Sequence, residues 1–109
     1  MRIVPKFKKV SVDELRFNNI NFLKKMGSTA EMLITYSEKT EHHKKIKELV
    51  DDILYLLPIE KDSINEIDKR INNILGDLKI LLYTNRDPYR IESKINDLQK
   101  LLEERNTKI

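Results

Sequence analysis

In the second half of the chain, apolar residues recur at intervals of three and four. One series consists of Ile64, Ile67, Ile71, Ile74, Leu78 and Leu81, and a second consists of Ile91, Ile95, Leu98 and Leu102. These intervals place side chains on one face of an α-helix, and such a face is buried when it packs against another helix. The repeat therefore predicts two helices that pair as an antiparallel C-terminal hairpin with coiled-coil packing.

The composition favours helices throughout the chain. The 109 residues include only two glycines and three prolines. Tight turns between strands depend on these residue types, so their scarcity disfavours a sheet-rich fold. A chain of this length forms one domain with a modest core. We therefore expect an all-α fold, an antiparallel bundle of three to four long helices.

Capping signals mark the predicted helix boundaries. Three segments have the Ser-x-x-Glu form of a capping box, namely Ser11 to Glu14, Ser28 to Glu31 and Ser63 to Glu66. Asp87 followed by Pro88 is typical of an N-cap and a first helical residue. Gly27 and Pro58 have the character of helix stops. Together the signals predict helices at about residues 12–26, 29–57, 64–83 and 88–106.

The second predicted helix has a polar middle, because residues 37–45 contain no apolar side chain. One interpretation is a break near Thr40, followed by a separate helix. The other is a continuous helix with a solvated middle. Residues from Met32 to Leu57 keep one heptad register across the polar stretch, which favours the continuous helix.

A further alternative makes Gly27 an interior residue. The first two helices would then form one rod from Val12 to Leu57. An interior glycine costs only about 1 kcal/mol, so its energy does not exclude the rod. The capping signal at Ser28 argues against it.

The positive charge of the chain is concentrated at its start. The overall formal charge is +3, yet the first ten residues carry four basic side chains and no acidic one: Arg2, Lys6, Lys8 and Lys9. We expect a basic, extended N-terminal arm over residues 1–10, followed by a helical-bundle domain over residues 11–109. The four basic side chains are candidates for contact with nucleic acid or another anion.

The sequence contains no recognisable catalytic, cofactor-binding or metal-binding motif. It lacks cysteine and a glycine-rich phosphate loop. His42 and His43 are adjacent, so on a helix they point about 100° apart and do not converge on one metal ion. Adjacent carboxylates such as Asp51 and Asp52 diverge in the same way. We therefore predict no catalytic, cofactor or metal site and a protein that is not an enzyme.

Some apolar residues lie outside the main helical seams: Leu75, Ile80, Leu82 and Leu101. They give the last two helices more apolar surface than one partner helix covers. We interpret them as a partner-helix face, which meets the first two helices or a second copy of the chain.

The leading functional hypothesis is a non-enzymatic protein–protein interaction module, such as an adaptor, inhibitor, chaperone or immunity-type protein. We expect it to self-associate, with a homodimer as the favoured assembly. The alternative hypothesis is nucleic-acid binding through the basic arm. The chain shows neither a signal peptide nor a membrane-spanning run, so we expect a cytoplasmic protein.

Overall fold

The computed structural model describes residues 12–84 and 87–109, with side chains from residue 20 onward. These residues form four helices: α1 Val12–Ser37, α2 His43–Leu54, α3 Asp62–Thr84 and α4 Pro88–Lys108. No described residue lies in a β-strand. The predicted all-α fold is confirmed.

The helices form a bundle in which each helix has two neighbours. α1 contacts α2 and α3, and α4 likewise contacts α2 and α3. The order around the bundle is therefore α1, α2, α4, α3. The contact between α3 and α4 is the most extensive, and that between α2 and α4 is the least. Arg105 near the end of α4 bonds Asp68 near the start of α3, so these helices are antiparallel and the predicted C-terminal hairpin is confirmed.

The core is built from apolar side chains at heptad spacing. On α3 the buried apolar residues are Ile64, Ile67, Ile71, Leu75, Leu78 and Leu82, and on α4 they are Ile91, Ile95, Leu98 and Leu102. From the other two helices, the buried apolar residues are Met26, Ala30, Leu33, Ile46, Leu49, Val50 and Ile53. Because α3 packs against both α1 and α4, it needs a wider apolar stripe than a two-helix seam requires.

This wider stripe includes two residues of the predicted partner-helix face, which was expected to meet the first two helices or a second copy. Leu75 and Leu82 are 0% and 3% exposed and belong to the core of this chain, so they are excluded as a surface for a second protein. Ile80 is 63% exposed, and Leu101 is partly buried against the core. Of the predicted face, only these two residues are accessible.

Gly27 lies inside α1, so the predicted helix stop at Gly27 and the helix start at Ser28 are both wrong. A Cβ atom added to Gly27 would lie 3.1 Å from Cδ2 of Leu54 on α2. Glycine therefore serves here by its small size, since it lets α2 approach the backbone of α1 closely. Its backbone freedom, which the predicted stop depended on, is not used.

The helical conformation is interrupted at residues 38–42, which form a turn between α1 and α2. The predicted continuous helix at 29–57 is therefore wrong, as is the rod from Val12 to Leu57, and the alternative with a break near Thr40 is correct. The Thr40 hydroxyl donates to the Ser37 carbonyl at 2.9 Å and accepts from the His42 N–H at 3.2 Å. The heptad register predicted from Met32 to Leu57 does not follow the core across the break, because Met32 is 38% exposed whereas α1 buries Ala30 and Leu33.

Of the remaining predicted helix starts, one is confirmed, one is wrong and one lies outside the described residues. The Asp87 carboxylate accepts from the backbone N–H of Arg90 at 3.1 Å, with Pro88 as the first helical residue. The N-cap of α4 is thus confirmed. α3 begins at Asp62, so Ser63 lies inside its first turn and is not the N-cap. The predicted cap at Ser11 lies outside the described residues.

Candidate protein-binding groove

An open groove lies between α2 and α4, where neighbouring helices touch least. It comprises a pocket of about 610 Å³ beside the starts of the two helices and one of about 370 Å³ beside their ends, and Lys45 lines both. We refer to these joined pockets as the α2/α4 groove. The two helices run in the same direction along it.

The floor of the groove is apolar. Its deepest lining residues are Leu49, Ile95 and Leu102, which are 3%, 3% and 6% exposed. These side chains also belong to the hydrophobic core. The floor is therefore the outer edge of a rigid, packed core, and it exposes little apolar surface to a ligand.

The walls of the groove are acidic. Five carboxylate side chains line it, namely Glu41, Glu48, Asp52, Glu92 and Glu103. Apart from His42, Lys45 is the sole basic residue lining the two pockets. Like charges gathered along a groove produce a negative potential that attracts positively charged ligands.

An exposed tyrosine lies at each end of the groove. Tyr89 lines the pocket at the helix starts and Tyr55 lines the pocket at the helix ends. Each tyrosine is 83% exposed. Tyrosine combines a large apolar ring with a hydroxyl group and is enriched where proteins bind each other. Their placement marks both ends of a surface suited to a protein segment.

The two adjacent histidines point to different surroundings, because His42 ends the turn and His43 begins α2. His42 lines the groove, with its Nε2 atom 3.8 Å from a carboxylate oxygen of Glu41. His43 instead lies against α1, with its Nδ1 atom 3.1 Å from the Oγ atom of the fully buried Ser37. The histidines do not converge. Among the described residues, no three His, Asp or Glu side chains are grouped so that they could hold a metal ion.

A buried ion pair, which sequence reasoning missed, lies at the other end of the bundle. Arg105 is 1% exposed, and its Nε donates to Oδ1 of Asp68 at 2.7 Å. Its Nη2 donates to the Leu57 carbonyl at 2.8 Å and to Oδ2 of Asp68 at 3.4 Å. The guanidinium therefore joins α3, α4 and the connection after α2. Because both partners are closed off from solvent and bonded to each other, we assign this cluster a structural role.

A signal for this pair was present in the sequence. Asp68 is four residues after Ile64 and three before Ile71, and Arg105 is three residues after Leu102. Both charges thus occupy heptad positions of opposite helices. A charged residue in a buried seam needs an opposite charge, so each predicts the other as its partner.

The four predicted arm residues, Arg2, Lys6, Lys8 and Lys9, lie outside the described residues. Comparison of the chain with protein-family models, curated proteins and solved structures found no match. Within the described part of the chain, no helix has both the length and the apolar character to cross a membrane. On the described surface of the bundle, the α2/α4 groove is the candidate binding site.

Proposed function

We propose that this protein is a non-enzymatic, self-associating protein–protein interaction module that binds a positively charged protein segment in the α2/α4 groove. The observation that carries the proposal is the combination of five carboxylates along the groove walls with an exposed tyrosine at each end. The exposed rings of Tyr55 and Tyr89 suit the apolar side chains of a bound segment. The carboxylates suit lysine or arginine side chains on its edges.

The apolar groups and the carboxylates of the groove contribute differently to binding. Burial of the exposed tyrosine rings against the bound segment supplies most of the affinity. Each exposed ion pair adds only about 0.2–1 kcal/mol. The carboxylates therefore select for a basic partner and accelerate its association, and both effects weaken as salt is added.

A titration with defined peptides tests this function. The probe is a short amphipathic peptide in which lysine alternates with leucine, followed by fluorescence anisotropy, and the comparison peptide has glutamate in place of lysine. We expect the full chain to bind the lysine peptide, more weakly at high salt, and not the glutamate peptide. Equal binding of both peptides, or of neither, would contradict the proposal.

A matched pair of variants locates the binding surface. The groove variant carries Glu48→Gln, Glu92→Gln and Glu103→Gln. The control variant carries Glu31→Gln, Glu66→Gln and Asp97→Asn, which are exposed residues outside the α2/α4 groove. Both variants change the net charge equally. We expect about tenfold weaker peptide binding by the groove variant alone, from the loss of three exposed ion pairs; an equal loss in the control would show a general charge effect.

The alternative function, nucleic-acid binding, is supported by the charge of Arg2, Lys6, Lys8 and Lys9. The acidic groove repels phosphates, so this function would belong to the arm. Its test is a titration of the full chain with DNA and RNA at several salt concentrations, beside a variant with all four basic residues changed to glutamine. For four phosphate contacts, the logarithm of the binding constant should fall with the logarithm of salt with a slope of about −3 to −4. Equal binding by both proteins, or none, would reject it.

A further inference from the structure

We propose that residues 1–10 of a second copy of this chain occupy the α2/α4 groove, so that copies associate through their basic arms. This inference rests on the proposed function, since it names the occupant of the same groove. Its basis is charge complementarity within one sequence. The segment with four basic and no acidic residues matches a groove with five carboxylates on its walls.

The apolar residues of the arm match the groove as well. Ile3, Val4, Phe7 and Val10 lie between or beside its basic residues. A ligand for the groove needs this mixture, because the walls are acidic and the two ends carry exposed tyrosine rings. Ten residues reach at most about 33–36 Å, and α2 is only about 18 Å long. The arm is therefore long enough to follow the whole groove.

The position of α1 favours a second copy over the arm's own groove. α1 contacts α2 and α3 but not α4, so it lies on the side of the bundle opposite the groove. Ile20 and Leu23 of α1 lie beside the end of α2. The residues from Val12 to Ile20 therefore extend α1 beyond α2 by about 12 Å, away from the groove. To enter the groove of its own molecule, an arm that follows Val12 would have to turn back past the end of α2, so we assign it to the groove of a second copy.

The closing experiment is a charge exchange in the full chain. One variant has an acidic arm, with Lys6→Glu, Lys8→Glu and Lys9→Glu. The other has a basic groove, with Glu48→Lys, Glu92→Lys and Glu103→Lys. In each variant alone, arm and groove have the same sign of charge. In an equal mixture, each arm faces a groove of opposite sign in the other variant.

Light scattering over a concentration series measures the association, and circular dichroism verifies that both variants are folded. We expect wild type to form dimers that weaken at high salt, each variant alone to dimerise at least tenfold more weakly, and the mixture to regain dimers. A monomeric wild type, undiminished association of either variant alone, or a mixture that stays monomeric would overturn the inference. A monomeric wild type that binds the lysine peptide more tightly once its arm is acidic would place the arm in its own groove instead.

The charge exchange and the peptide titration distinguish a failure of the arm assignment from a failure of the groove as a binding site. If the charge exchange fails while the groove variant still loses affinity for the lysine peptide, the groove binds another basic segment and only the inference falls. If groove and control variants bind that peptide equally, the groove is not the binding surface and both fall.

Discussion

The two helical hairpins of the bundle differ in how well their helices match in length. α3 and α4 have 23 and 21 residues, whereas α1 and α2 have 26 and 12. The matched hairpin packs along its whole length and is joined by the Arg105–Asp68 ion pair. The mismatched hairpin contacts the matched one least between α2 and α4, and the α2/α4 groove lies there. The matched hairpin thus provides the scaffold, while the sparse contact between α2 and α4 leaves a groove available for binding.

The largest expected effect comes from breaking the matched hairpin at its ion pair. Arg105→Met leaves the Asp68 carboxylate buried without its charged partner, so the free energy of unfolding should fall by about 3–5 kcal/mol. Urea denaturation followed by circular dichroism measures this. The exposed Arg90 on the same helix supplies the control Arg90→Met, for which we expect a change within about 0.5 kcal/mol.

A double variant separates the role of the pair from that of its burial. Replacing both partners, with Asp68→Leu and Arg105→Met, removes the two buried charges together and should restore most of the lost stability. If the double variant is as unstable as Arg105→Met alone, the bond from Arg105 to the Leu57 carbonyl matters more than the ion pair.

The next effect distinguishes core from surface within α3. Leu75→Ala should lower the free energy of unfolding by about 2–5 kcal/mol, because it opens a cavity in the core. Ile80→Ala should change it by less than about 0.5 kcal/mol, since Ile80 is 63% exposed. Similar losses in the two variants, measured by urea denaturation, would show that Ile80 is covered in solution.

Glycine-to-alanine substitutions in α3 and α1 compare the space available beside a helix in the two hairpins. Gly76 on α3 has no atom within 4 Å of an added Cβ, so Gly76→Ala should stabilise the protein by up to about 1 kcal/mol. Gly27→Ala should gain less, because its Cβ would meet Leu54 at 3.1 Å. Thermal unfolding of both variants measures the difference. Equal gains would mean that Leu54, which is 46% exposed, moves aside at no cost.

The smallest change in stability is expected at the open side of the bundle. Tyr55→Ala and Tyr89→Ala should each alter the free energy of unfolding by less than about 0.5 kcal/mol and weaken binding of the lysine peptide about fivefold or more. Tyr83→Ala provides the opposite pattern. The centroid of its ring lies 5.8 Å from that of Tyr36, outside the groove. Tyr83→Ala should therefore lower the free energy of unfolding by about 0.5–1.5 kcal/mol and leave peptide affinity unchanged.

The matched hairpin was predictable from the sequence because its signals are local and agree with one another. The repeat from Ile64 to Leu102 and the Asp87–Pro88 start act through neighbouring residues. The mismatched hairpin was harder, since a glycine that ends a helix and one that admits a neighbouring helix look alike in sequence. Gly27 is the second kind, and only its distance to Leu54 reveals it.

The groove itself was not predictable, because it depends on which helices become neighbours. Glu48 and Glu92 are far apart in the chain and appear as ordinary solvated residues on their own helices. They line adjoining pockets only because α2 and α4 lie side by side. A periodic pattern reports the buried face of each helix, but it does not report the order of the helices around a bundle.

The common direction of α2 and α4 gives the groove an electrostatic polarity. A helix carries about half a positive charge at its N-terminus and half a negative charge at its C-terminus. Both N-termini lie at the Tyr89 end and both C-termini at the Tyr55 end. The dipoles therefore add along the groove. A bound segment with unevenly distributed positive charge has one preferred orientation, with its more basic end toward Tyr55.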